Sequence, residues 1–221
     1  MTRYQIFLSR NNIIIIILFS IFFIINNVSM VSAKELSINS DVGPNQIIFI
    51  SKAPLEDING VIQKNCIHGK ISFDIKNIEN SKGNILVDVT GMETGIKLRD
   101  GHLQSSDWLD SKKYPQIIFE LQKITSFKIE NQSGGKIIIS GNAEGNISIH
   151  GKIKWISSPI SITYLYESPE TRSRASGDLM FVEGKFDVML KDFDVAGVRG
   201  LVGSKVGEVI KIEYKLYFNG I

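Results

Sequence analysis

Asp192 and Asp194 flank Phe193 near the end of an apolar run, and two carboxylates this close could share acid and base work. Such a device needs an electrophile and a cleft, and the neighbouring residues announce neither. Cys66 and His68 lie two apart, on one face of an extended segment, and His150 lies on the polar face of another. A zinc site would require those segments to be adjacent and to find a fourth ligand, so solvated surface positions are the simpler account. The chain holds no Gly-x-Ser-x-Gly elbow and no His-Glu-x-x-His pair. Gly145 to Gly151-Lys152 is one residue too long for a phosphate loop and sits in a strand pattern. Gly197, Gly200 and Gly203 miss the dinucleotide spacing and read as a mobile turn. No catalytic residue, metal or cofactor is expected. A secreted enzyme or a surface-interaction domain is carried as the alternative class.

These residues sit on strands. After residue 33 the chain has 28 Ile and 4 Ala, a balance that favours extended structure. From Ile137 to Trp155 the odd positions are apolar or small, and all the even ones but Ile138 are polar. That two-residue period gives one dry face and one wet face. Cys66–Ile75 repeats it, and further strands are predicted over Gln46–Lys52, Ile85–Thr90, Gln116–Ile124, Ile160–Tyr166, Leu179–Leu190 and Glu208–Phe218. The five prolines fall at or beside the breaks between them. Only Ser105–Lys112 reads as a helix, with Ser105, Ser106 and Asp107 as N-caps and Pro115 as the stop. About eight alternating strands suit a sandwich or a barrel, and strands of ten or more residues favour the barrel. Gly141, Gly145 and Gly151 on its dry face serve either curvature or a guest.

The N-terminus reads as an export address. Arg3 and Arg10 precede the apolar run Ile13–Ile25, which only Ser20 interrupts, and Val31-Ser32-Ala33 offers a small-residue exit. Residues 1–33 are therefore expected to be a cleaved secretory signal and 34–221 the working domain, periplasmic or secreted. Thirteen residues as a helix rise about 20 Å, short of a bilayer core of about 30 Å. No stable membrane span is expected after cleavage. The whole chain carries 25 Lys+Arg against 23 Asp+Glu, and the two arginines of the address account for the formal charge of +2. The domain that remains is neutral and lacks the basic surplus of a nucleic-acid binder. Its single cysteine, Cys66, cannot form an internal disulfide.

The segment Thr94 to Pro115, with Arg99-Asp100, His102-Leu103, Trp108-Leu109 and Lys113-Tyr114-Pro115, runs into Ile118-Phe119. It resembles the signature of the YceI-like family. Gly60–Phe73, Gly145–Gly151, Phe186–Phe193 and Val202–Tyr214 match further family elements in order, so the resemblance spans about Ile38 to Phe218. It implies an all-β, eight-stranded antiparallel lipocalin-like barrel with one short helix, exported, and holding an isoprenoid or other long apolar chain. On that reading Phe49, Ile71, Phe73, Val87, Val89, Phe119, Leu121, Ile147, Ile149, Ile162, Tyr164, Phe186 and Val188 form the wall. Leu103, Trp108 and Leu109 line or lid one end, and Arg99 and His102 either meet a polar head group or only fix the turn. The partner is a lipid, with no nucleic acid; a homodimer is left open.

Overall fold

The computed structural model describes residues 33–220; apart from Ala33, the expected export segment lies outside the described residues. Eleven strand segments follow in chain order: β1 Lys34–Ile38, β2 Gln46–Lys52, β3 Asp57–Ile62, β4 Ile67–Phe73, β5 Lys82–Asp88 and β6 Met92–Glu93 come first. The long strands β7 Gln116–Ser133, β8 Lys136–Ile149, β9 Lys152–Leu165, β10 Leu179–Met189 and β11 Val209–Gly220 complete the set. The segments make eight staves. β1 and β2 both run antiparallel to β11, as two halves of one broken stave. β3 and β4 make the next stave, and β6 and β5 the one after. β5 then pairs with β7, and β7 to β11 continue in sequence until β11 closes on β1. The result is a closed antiparallel barrel. Residues 33–220 contain the complete ring and its core and form a compact unit by themselves.

The breaks have local causes. Between β1 and β2 the chain leaves the ladder for residues 39–45, and Asn45 Oδ1 accepts from the Tyr217 N–H (2.7 Å) in place of a backbone partner. Short 3-10 turns at Lys64–Cys66 and Val89–Gly91 interrupt the next two staves side by side, tied by Gln63 N–H to Gly91 O (2.9 Å). Sequence reading missed β1, β3 and β6: β1 and β6 carry too few residues to show a period, and in β3 Gly60 stands at an inward position and blunts the alternation.

The alternation across Ile137–Trp155 belongs to two strands rather than one. His150 (φ 48°) and Gly151 (φ 74°) form a two-residue hairpin turn with both φ positive, the form that matches strand twist. The turn reverses parity. On β8 the odd residues Ile137, Ile139, Ala143, Ile147 and Ile149 are buried, whereas on β9 Ile156, Ile160, Ile162 and Tyr164 point inward, and Ile153 and Trp155 are exposed. Gly145 serves curvature, because any Cβ there would collide with the Glu120 carbonyl at a bulge in β7.

The expected helix is displaced. Helix α1 spans Lys97–Leu103, and residues 105–113 form successive turns. Asp100 accepts from both Thr94 N–H (2.7 Å) and Thr94 Oγ1 (2.5 Å), which starts the helix earlier than the serine caps suggested. Leu109 N–H then bonds Leu103 O and Asp110 adopts φ 46°, so no second helical turn propagates. A further single-turn helix, α2 at Pro169–Arg172, is held by a reciprocal Ser168–Thr171 capping box.

The β9–β10 ladder stops at Ile160–Gly184, where Pro159 brings no N–H to the next rung. Beyond it β9 pairs only with β8. The seam is bridged by Ser158 Oγ to Lys185 O (3.2 Å). At the rim it is bridged by Lys152–Asp194 (2.7 Å) and by the His150 Nδ1–H bond to Phe193 O (3.1 Å).

Candidate functional site

Inward parity of eight staves produces an apolar lumen. Its inner chamber, about 160 Å³, is walled by residues such as Phe73, Val87, Phe119, Leu121, Ile147 and Phe186. A second chamber of about 490 Å³ lies at the rim, lined by Trp108, Leu109, Val188, Val195 and Leu201 among others. Phe49, Met92, Ile117, Ile149 and Ile212 belong to both walls, so the two are compartments of one lumen that meet at the level of Phe49. The rim chamber by itself falls in the size range of ordinary ligand pockets.

The far end is plugged. The rings of Phe73 and Tyr164 stack with centroids 5.4 Å apart, and Ile78 from a 3-10 turn is buried beside β7. Behind the plug lies Asp178, a carboxylate only 4 % exposed. It accepts from Tyr164 OH, from Lys34 Nζ and from the Glu167 N–H (2.7 Å). Burial pushes this carboxyl up, but the donors outweigh burial and hold it below the ordinary carboxylate value. Burial and the bond to Asp178 together raise the Tyr164 phenol far above its usual range.

Sixteen of the eighteen residues expected at the site line this lumen. Phe49, Ile71, Phe73, Val87, Phe119, Leu121, Ile147, Ile149, Ile162 and Phe186 line the inner chamber. Arg99, His102, Leu103, Trp108, Leu109 and Val188 join Phe49 and Ile149 in the rim chamber. Two lie off it. The strand expected to reach Thr90 ends at Asp88, so Val89 is buried in the following 3-10 turn. Tyr164 turns its hydroxyl to Asp178 within the plug.

Arg99 has its guanidinium occupied. Nε donates to Thr94 Oγ1 (2.9 Å), Nη2 to Thr94 O (3.2 Å), and Nη1 pairs with Glu56 (2.5 Å). It clamps the turn before α1. His102 and Lys205 line the same chamber and have no ion pair among the described residues. Within the inner chamber the polar feature is the Tyr214 hydroxyl, 2.9 Å from Ser158 Oγ. Burial pushes the Tyr214 phenol up to about 12, with the Ser158 bond acting weakly the other way.

The largest wall element that sequence reading missed is residues 195–207. Read there as a mobile turn on its glycines, this loop places Val195, Val198, Leu201 and Val206 in the rim chamber. Gly197 (φ 63°) lies flat against Trp108, where a Cβ would fall 2.6 Å from Cη2. The hint was the apolar residues between the glycines.

The other chemical candidates are dispersed. Cys66 lies in a 3-10 turn and His68 pairs with Asp88 (3.2 Å). Asp192 and Asp194 belong to a 3-10 turn and its left-handed cap instead of a strand face, and Asp194 is tied to Lys152. Among the described residues no three His, Cys, Asp or Glu side chains are placed to hold a metal.

Comparison with known proteins agrees with this geometry. A family model described as the YceI-like domain matches residues 39–218. A UPF0312 protein of Vibrio parahaemolyticus is 32% identical over 131 residues, covering 59% of this chain and 62% of the relative. The chain thus spans less than two thirds of that relative's length. Protein YceI of Escherichia coli is 29% identical over 145 residues, 66% of this chain and 68% of the relative. Among solved structures, Burkholderia cenocepacia BcnA superposes with a TM-score of 0.60 at 19% identity, covering 81% of this chain and 98% of its own. A polyisoprenoid binding domain from Saccharophagus degradans gives 0.58 at 11%, with 84% and 98% covered. At such identities the superpositions establish the fold alone.

Proposed function

The chain belongs to the YceI-like family, and we propose that it is an exported binding protein that encloses a long apolar molecule of isoprenoid or related lipid type, without chemistry. One observation carries this reading: an apolar lumen that is closed at the Phe73–Tyr164 plug and continues past Phe49 into an open rim chamber. The solved domain from Saccharophagus degradans, a polyisoprenoid binding domain, has the same fold and supports the ligand class. Each methylene taken out of water contributes about 0.8 kcal/mol, so a prenyl chain is retained by burial even after ordering costs. A polar head would sit in the rim chamber beside His102 and Lys205, since Arg99 is spent on Thr94 and Glu56. The scattered titratable groups favour carriage over catalysis. The test is native mass spectrometry of the barrel after exposure to an organic extract of lipids. Retained apolar mass is the expected result, and none across a lipid panel would overturn the reading.

A further inference from the structure

The rim of the barrel is apolar on its outside as well as within. Leu55 is 71 % exposed, Leu98 72 %, Ile96 52 % and Val198 48 %. They come from the β2–β3 loop, the start of α1 and the 195–207 loop, which meet at the opening. Ile96, Leu98 and Val198 line the rim chamber, and Leu55 N–H bonds Ser204 O (3.0 Å) in the loop that carries Val198. Exposed side chains of this size are costly in water and mark a contact surface when they cluster. Lys97 stands between Ile96 and Leu98, and Arg199 follows Val198 directly; both are exposed. Neither has a carboxylate partner among the ion pairs of the described residues. Glu56 and Asp100 are held by Arg99 and Thr94, and the exposed Asp57 and Glu208 are matched in number by the exposed Lys52 and Lys205.

We propose that this rim docks on the surface of a membrane bearing anionic lipids, with Leu55, Ile96, Leu98 and Val198 entering the interface and Lys97 and Arg199 meeting the headgroups. The chemistry is that of interfacial binding: apolar side chains at headgroup depth ringed by cations. The opening these residues surround leads into the apolar lumen, so docking brings the lumen against the bilayer and spares an apolar molecule passage through water. The inference goes beyond the reading of the lumen, because the barrel can dock empty and can also hold a lipid without docking.

The experiment is flotation of residues 33–220 with vesicles of phosphatidylcholine alone and with added phosphatidylglycerol. Binding is expected with the anionic vesicles and is expected to fall as salt rises. Leu55→Ser and Leu98→Ser should each weaken it about tenfold, and Lys97→Gln and Arg199→Gln about fivefold each. All four positions are exposed, so thermal unfolding should be unchanged. Phe127→Ser and Ile129→Ser alter exposed apolar residues on β7 toward the Gly134-Gly135 turn, away from the rim, and should leave flotation intact. No binding to anionic vesicles, or loss confined to Phe127→Ser and Ile129→Ser, would overturn the rim assignment. Neither outcome bears on lipid retention, which native mass spectrometry reads separately.

Discussion

The ring of Phe49 on β2 lies over Gly60, its cross-strand partner on β3, so closely that a Cβ at position 60 would overlap it. Phe49 belongs to the walls of both chambers, so an inward-facing glycine that it covers sets the width of the neck. Gly60→Ala is expected to push the ring inward and to cost about 1–3 kcal/mol by overpacking. Phe49→Ala should cost about 3 kcal/mol yet join the chambers. Chemical denaturation reads the first effect, and the length of the longest retained prenyl chain reads the second.

Trp108 tests the lid expected at the rim chamber. It is 7 % exposed and packs on Gly197 of the opposite loop. Trp108→Asp should abolish retention of an apolar ligand, while Trp108→Phe should keep most of it. Circular dichroism of both variants checks that the barrel persists. Unchanged affinity in the Asp variant would remove Trp108 from the site.

Arg99 tests a different question. Its bonds to Thr94 and Glu56 hold the turn ahead of α1. Arg99→Ala should lower stability by about 1–2 kcal/mol. It should weaken retention of neutral and anionic lipids alike. A loss restricted to anionic lipids would make Arg99 a head-group ligand instead.

Asp178 predicts an acid limit. Its folded value lies below the ordinary one, so it contributes stability that is present above the unfolded carboxylate value of about 4 and is lost as pH falls through the folded value. Asp178→Asn should be less stable near neutral pH by about 2–4 kcal/mol, since Lys34 and Tyr164 lose a charged acceptor. The gap between the two proteins should narrow below pH of about 4. Urea titrations across that range measure it.

Tyr214 sets an alkaline counterpart. Its phenol is raised, so the neutral form favours the fold, and that contribution is lost as pH climbs above the unfolded value of about 10. Tyr214→Phe should abolish a tyrosine titration step near 12 followed by ultraviolet absorbance. The loss of the Ser158 bond should cost about 1 kcal/mol.

Local rules were enough for much of this molecule. Alternating residues on β4 and β8 identified a dry face, because a strand's two-residue period depends only on its own chain. The ordered motif at 94–121 pointed to the family, and its Trp108 lines the rim chamber. What alternation alone could not supply was the phase after a turn. His150-Gly151 reversed parity and turned Ile153 and Trp155 outward, since a two-residue turn counts as strand in a period but changes the face. Nor could it supply the relations that strand pairing and closure create. Phe49 and Gly60, Trp108 and Gly197, and Lys34 and Asp178 are 11, 89 and 144 residues apart. The first contact is set by the β2–β3 register. The other two exist only because the staves close into a ring, and that ring decides where the lumen is plugged and where it opens.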